Sequence, residues 1–377
     1  MNRNLVLLSI ALASWGVGEG MFFFFQPLYL QELGANPVQI GAILGVVGIA
    51  MSAVHIPAGY LSNRFGRHPL LISAWMLGTT SIWVMALANT LPEFVVGSVL
   101  YGLTAFVAGP LNGYTTAVRG NMSVGRVLTL VSAFYNMGAI LGPLLGGWIA
   151  GMMGLRGSFY FAGGITILST LLITQIRAQP VEKGNSKEKT LPAQRLLTPR
   201  FALFLGIIGL AVFAMYLPQP LTVNFLQNEK HVSIEWIGVL IAARSFGVVL
   251  LNLTLGRKNA RYAYLVTQLV VALFVLLIWK GIGIPFYVAG YLLLGAYQTS
   301  RSLAAAQGRA LVEDHEMNIA YGMIETVSAV AVILAPPLAG VLYAESPTLV
   351  YIASLGGLVV SLFVSSVWMP LKATEVI

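Results

Sequence analysis

Five ionisable side chains stand inside long apolar runs of this 377-residue chain: Glu19, His55, Arg244, Arg301 and Glu325. Keeping such groups away from water is costly, so each is a functional candidate by default. Glu19 lies among Gly16, Gly18 and Gly20, with Gln26 and Tyr29 farther along the same run. A carboxyl taken out of water favours its neutral form, so Glu19 could exchange a proton or hold a cation in its place. The plainer reading is a carboxylate pinned by backbone or hydroxyl groups for packing alone. Arg301 could bind an anionic group, act as counter-charge to Glu19, or sit in a fixed ion pair. Arg244, near the middle of its run, could form a pair that breaks during a conformational change. His55 and Glu325 each lie about eight residues from the end of a run, roughly 12 Å in by helical rise. A His–carboxylate contact there would be proton-sensitive, while a histidine near a helix end can also be simply hydrogen-bonded.

Other chemistries find little support. Cysteine is absent, which excludes disulfides, thiolate metal sites and cysteine nucleophiles. The 4 His are scattered without metal-ligand spacing. Asp314, the sole aspartate, falls in Glu313-Asp314-His315-Glu316, which reads as a solvated acidic loop rather than a metal or enzyme centre. No G-x-x-x-x-G-K-[ST] loop is present to bind a nucleotide phosphate. The expectation is therefore no enzyme, no cofactor and no metal.

The elements that must position these groups follow from composition. The chain is 57% hydrophobic and only 9% charged, whereas a soluble domain carries about a quarter charged residues. Its surface must mostly face lipid, so the bilayer is one expected partner. The 40 Gly and 17 Pro fit membrane helices, where small residues allow backbones to approach. With about 20 apolar residues needed per crossing, the runs predict an all-α integral membrane protein of twelve spans. Six lie near 5–31, 37–62, 69–90, 92–117, 125–152 and 154–177. Six more lie near 200–226, 233–257, 262–280, 284–311, 317–343 and 346–370. The expected domains are a six-helix bundle at 1–177, a hydrophilic linker at 178–199 and a second bundle at 200–377. The N-terminal run is too long for a signal peptide and has no cleavage pattern.

The net charge of +8 does not point to nucleic acid, because the basic residues lie in short loops rather than in one patch. With both termini inside, sixteen Lys and Arg fall on the cytoplasmic side, and only Arg156, Lys230 and Lys280 fall opposite. The positive-inside rule then predicts cytoplasmic termini, and the expected location is the plasma (cell inner) membrane.

The two halves repeat. Gly138, Gly142, Pro143, Gly146 and Gly147 spell G-x-x-x-G-P-x-x-G-G in the fifth span. Ala331, Ala335, Pro336, Ala339 and Gly340 answer with A-x-x-x-A-P-x-x-A-G in the eleventh. Gly41 and Gly238 open the second and eighth spans alike, and Gly102 is echoed by Gly295. Two parallel repeats predict a ligand site between the halves near mid-membrane.

The loop after the second span reads Gly59-Tyr60-Leu61-Ser62-Asn63-Arg64-Phe65-Gly66-Arg67-His68. Gly66 suits a tight turn, and Arg64 and Arg67 hold it on the positive side. This resembles the G-x-L-x-D-R-x-G-R-[RK] signature of the major facilitator superfamily. With the twelve spans, the linker and the repeat, the resemblance covers the whole chain and implies two pseudo-symmetric six-helix bundles working by alternating access. Asn63 stands where the family has Asp, which implies either a weaker latch or a bond kept at a packed turn. The fifth-span motif is similar to that of the twelve-helix drug:proton antiporters; its residues also suit close helix packing with a local disturbance at Pro143. Ser98 stands where that type has an Arg.

What the resemblance implies for function is secondary active transport, a proton-coupled antiporter exporting amphipathic or drug-like small molecules as a functional monomer. The alternative is a proton-linked or uniport carrier of a sugar or organic anion, which Arg244 and Arg301 would favour. A receptor or scaffold of the same fold would be expected to carry an added soluble domain. By the same resemblance spans 1, 4, 7 and 10 line the cavity, which nominates Gln26, Tyr29, Asn112, Tyr114, Tyr216, Gln219, Tyr297 and Gln298. Spans 2 and 11 are neighbours, which would bring His55 to Glu325.

Overall fold

The computed structural model describes residues 2–54, 61, 65–178, 198–255, 259–309, 311–312 and 316–369. His55, Gly59, Asn63 and Arg64 lie outside the described residues. Within the described residues all regular structure is helical, as lipid demands of a chain that must satisfy its own backbone. In chain order the segments are α1 (Arg3–Glu32), α2 (Pro37–Ala53), α3 (Arg67–Leu87) and α4 (Leu91–Ala117). Next come α5 and α6 (124–153 and 155–173), α7 (Pro199–Asn228), α8 (Ile234–Leu255) and α9 (Ala260–Lys280). Last are α10 (284–309), α11 (Met317–Glu345) and α12 (Leu349–Trp368).

Among the described residues nine helices are long and apolar enough to cross a membrane. The step from nine to twelve has three causes. α5 and α6 run on as one helix, Val124–Ile173, interrupted only at Gly154, whose φ of 77° and ψ of 166° suit glycine alone. α2 is apolar but short within the described residues. α10 joins Ile284–Leu294 to Ala296–Arg309 through Gly295, and its second part carries Gln298, Arg301 and Gln307.

Proline explains two further irregularities. A proline lacks an N–H, and its ring clashes with the carbonyl four residues back. In α1 a 3-10 turn at Phe23–Phe25 precedes Pro27, and in α4 another at Thr104–Val107 precedes Pro110. Pro143 behaves differently from the expected disturbance. α5 keeps helical backbone angles through it, and the ring and carbonyl act through packing instead.

The chain divides into two compact units. The first comprises Met1–Asn36, Val46–Gly184 and Gln227–Ala242; the second comprises Pro37–Gly45, Asn185–Leu226 and Ala243–Ile377. In the first unit, a Cβ on Gly138 would stand 2.1 Å from Ala13 O, and one on Gly142 would stand 2.4 Å from Val17 O. On Gly146 it would lie 2.6 Å from Met21. One face of the fifth-span motif is therefore pressed onto the α1 backbone. The other face meets α8, because a Cβ on Gly238 would lie 2.3 Å from Pro143 O and one on Gly147 would lie 2.9 Å from Ile234 O.

The second unit repeats this device. A Cβ on Gly41 would lie 2.3 Å from Pro336 O, and one on Gly340 would lie 2.5 Å from Pro37 O. Ala331, Ala335 and Ala339 are buried. α8 and α10 cross at Gly247 and Gly295, where a Cβ on Gly247 would fall 2.0 Å from Leu292 O.

Ends are fixed by polar groups. Arg156, at the start of α6, donates to the carbonyls of Ala86, Leu87 and Ala88 at 2.9–3.0 Å and to Asn89 Oδ1 at 2.9 Å. It thereby satisfies the open carbonyls at the end of α3. Gly66, with φ of 86°, makes the turn into α3, and Arg67 donates to Gly113 O at 3.1 Å.

Gly142→Ala should lower thermal stability in detergent by an amount corresponding to about 1–3 kcal/mol of overpacking. Gly164→Ala is the control, because a Cβ there meets nothing within 4 Å. It should be neutral or gain up to about 1 kcal/mol from helix propensity. Equal melting temperatures for the two variants would refute the backbone-contact account.

Candidate functional site

The close contact between α1 and α5 decides where Glu19 points. Gly16 and Gly20 face α5, and Gly18 faces Thr166 of α6. The remaining stripe of α1, Leu12, Trp15 and Glu19, lines a cavity of about 490 Å3 within the first unit. Trp75 of α3, Tyr101 of α4, Asn112 of α4 and Tyr135 of α5 contribute to its other walls.

The Tyr135 hydroxyl donates to Glu19 Oε2 at 2.7 Å. Tyr101 lies close to the same carboxyl, with Trp15 beside it. The Trp15 and Trp75 rings are 5.4 Å apart and tilted by 56°. Gly78 makes room for Trp15, since a Cβ there would stand 2.5 Å from the indole. Trp75 is held in turn by Nε1 donating to Ser169 Oγ at 2.9 Å, and Ser169 Oγ donates to Ala11 O at 2.6 Å. The cavity thus offers one carboxyl, the hydroxyls of Tyr101, Thr104, Ser132 and Tyr135, and an amide among aromatic and aliphatic walls. Such a lining suits a mostly apolar ligand with one polar or cationic group.

A second polar cluster belongs to the second unit. Arg301 of α10 forms an ion pair with Glu325 of α11 through Nη2. Arg301 therefore meets Glu325, where the sequence offered Glu19 as its counter-charge. Arg244 of α8 stands within electrostatic reach of Tyr216, Tyr291 and Tyr297. The crossing at Gly247 and Gly295 accounts for this, since Arg244 and Tyr291 each lie one turn before it. The Tyr216 and Tyr297 rings are 5.7 Å apart.

The other residues nominated from the sequence are dispersed. Gln26 is buried with Nε2 3.9 Å from Met85 Sδ, and Tyr29 is buried against Phe94 and Phe159 at 5.0 Å from each ring. The Tyr114 side chain is fully buried and donates to Arg177 O at 2.8 Å. Gln219 Nε2 donates to Met215 O at 3.0 Å, and Gln298 is exposed. Of these, Asn112 lines the cavity with Glu19. Ser98 is buried and donates to Phe94 O of its own helix at 2.9 Å.

Sequence reasoning missed Tyr135, Tyr101, Trp15 and Trp75. Tyr135 had a legible signal: it lies one turn before Gly138, on the face that the glycine motif turns toward α1.

Apolar helical segments and glycine-paired crossings define a polytopic membrane protein. Residues 8–223, more than half of the chain, match the Major Facilitator Superfamily model, and the chain belongs to that family. It is 23% identical over 222 residues to the quinolone resistance protein NorA of Staphylococcus aureus, covering 56% of this chain and 57% of NorA. It is 25% identical over 190 residues to an MFS-type transporter of Methanocaldococcus jannaschii, covering 50% of this chain and 49% of that one. The chain spans about half the length of the curated relatives it matches. Among solved structures it resembles a point mutant of the nucleoside transporter NupG, with a TM-score of 0.86 and 16% identity over 98% of this chain and 100% of that one. It also resembles a bacterial homologue of the lysosomal transporter Spinster, with a TM-score of 0.72 and 15% identity over 97% and 93% of the two chains. These likenesses carry the fold.

The Tyr135–Glu19 hydrogen bond joins a hydroxyl to a carboxyl away from bulk water, where such bonds contribute about 1.5–3 kcal/mol. The melting-temperature losses of Glu19→Ala and Tyr135→Phe should therefore be non-additive, with the double variant losing less than the two together. Strict additivity would show that the bond is not made in the purified protein.

Proposed function

We propose that the protein is a proton-coupled antiporter that exports amphipathic, preferentially cationic small molecules by alternating access. The observation that carries this reading is the Glu19 carboxyl, bonded to Tyr135 and facing a largely apolar cavity of about 490 Å3. A carboxyl so placed can hold either a proton or a cationic group, but not both, and that competition is the simplest coupling device. One charge moving through 100 mV is worth about 2.3 kcal/mol, enough for roughly fifty-fold accumulation. Similarity to a quinolone resistance protein supports the export reading. The glycine motif Gly138–Gly147 supports it less, because its contacts with α1 and α8 account for its small residues as packing.

The same reading takes the protein as a monomer in the plasma membrane with both termini cytoplasmic, supported by the sixteen-to-three partition of basic residues. It takes 178–199 as a cytoplasmic linker between 1–177 and 200–377. A carrier of a small metabolite is the second reading, favoured by the Arg244 and Arg301 cluster.

In proteoliposomes with an imposed pH gradient, the wild type should release protons on addition of a lipophilic cation such as ethidium. Neutral and anionic compounds should do so weakly. Glu19→Gln should reduce cation-driven proton release by at least about tenfold, the scale of one lost charge interaction. Unchanged pH dependence in Glu19→Gln, or proton release triggered by anions alone, would refute this assignment.

A further inference from the structure

We propose that the side-chain amides of Gln31 and Asn228 form a releasable latch between the ends of α1 and α7, parted and remade in each transport cycle. Gln31 Nε2 donates to Asn228 Oδ1 at 3.1 Å, and Asn228 Nδ2 donates back to Gln31 Oε1 at 3.0 Å. Each amide therefore gives one hydrogen and takes one from the same partner, which fixes their mutual orientation. The two residues are 197 positions apart in the chain, so the pair joins segments that no local turn would bring together.

Both helix ends are built to present these amides. α1 closes with a glycine cap, in which Ala35 N donates to Leu30 O at 3.0 Å and Gly34 N donates to Gln31 O at 2.9 Å. Gly34 takes the positive φ of 89° that this cap requires. Asn228 is the last residue of α7. The short turn after it, with His231 at a φ of 53°, leads directly into α8 at Ile234. α8 is in turn seated on α5 through Gly147 and Gly238.

α7 is gripped on either side of one step in the chain. Its earlier part is held in the second unit, where Ser354 Oγ donates to Ala214 O at 2.8 Å and the Phe225 and Tyr351 rings lie 4.6 Å apart. The chain passes to the first unit between Leu226 and Gln227, and Asn228 follows at once. A displacement of α7 with the second unit therefore acts on the amide pair within one helical turn. The contact is also of a kind that can be released. Gly16, Gly18 and Gly20 press α1 closely onto α5 and α6, whereas no described glycine seats α1 on α7. Gln31 is half-buried and Asn228 is exposed, so water can take over their bonds when they part, at small net cost. The latch rests on the alternating-access reading, but on neither the exchange at Glu19 nor any particular substrate.

The chain has no cysteine, so spin labels on Glu32→Cys and Glu229→Cys, both exposed positions, can report the separation of the two helix ends. Pulsed electron resonance of the labelled protein in nanodiscs should show a major population at short distance. Gln31→Ala should shift the ratio of separated to joined ends about fivefold toward separated, the scale of two modest net hydrogen bonds. Asn228→Ala should do the same, and the two together should go no further than either alone. Exchanging the residues, Gln31→Asn with Asn228→Gln, keeps the summed side-chain length and should restore the original distribution, which neither half should do alone. In proteoliposomes, Gln31→Cys with Asn228→Cys joined by a short cleavable bis-maleimide should lose ethidium-driven proton release and regain it on cleavage. The latch is overturned if Gln31→Ala leaves the distances unchanged, if the two alanine effects add, if the exchange does not restore the distribution, or if the cross-linked protein transports at full rate. The distance measurements need no substrate. A parent protein that does not exchange ethidium for protons would therefore refute the antiport reading, while the distances would still decide the latch.

Discussion

The contact on which the first unit depends is backbone against backbone, where the α1 carbonyls of Ala13 and Val17 press onto Gly138 and Gly142. In lipid an apolar side chain gains little by leaving its surroundings, so helix association rests on packing and on close approach. Glycine supplies the closest approach. Once α1 is seated on α5 through Gly16 and Gly20, its rotation is fixed, and the Leu12–Trp15–Glu19 stripe can face only the cavity. The position of the single carboxyl there is thus a consequence of residues that carry no chemistry themselves.

The second unit obeys the same constraint and arrives at different chemistry. Gly247 meets Gly295, and Gly41 and Gly340 meet proline-bearing turns, so the repeat in the sequence is a repeat of contacts. The residues presented beside those contacts have diverged. One unit holds Glu19 with tyrosines; the other holds Arg244, Arg301 and Glu325 with tyrosines. A duplicated scaffold that keeps its glycines is free to change the polar groups between them, because backbone contacts fix the helices whatever the neighbouring side chains are.

This also explains what could be read from the sequence. The helices were legible because lipid enforces length and apolarity, and the crossings were legible because close approach enforces Gly and Ala at fixed spacing. Gly66 was legible for the same kind of reason, since its φ of 86° suits glycine. Pro143 misled, because a proline whose ring packs against Gly20 need not bend its helix. Gln26, Tyr29 and Tyr114 were nominated by polarity and by span, yet whether a side chain faces a cavity depends on helix rotation. Apolar periodicity reports rotation poorly when lipid and core are equally apolar. Tyr135 was passed over because a tyrosine in a membrane span has many uses. Arg301 and Glu325 were both found by charge, but their pairing was not, since it depends on which faces of α10 and α11 meet.

Ser98 sharpens the electrostatics of the first unit. Where the resembled antiporters carry an arginine, this chain has a buried serine bonded to its own helix. Glu19 therefore takes its described hydrogen bond from a tyrosine rather than from a cation. A hydroxyl donates to a carboxylate but brings no positive charge to neutralise it, and an unneutralised charge is costly at membrane depth. On the reading proposed for this cavity, that missing charge comes from outside the protein, as a proton in one half of the cycle and a cationic substrate in the other.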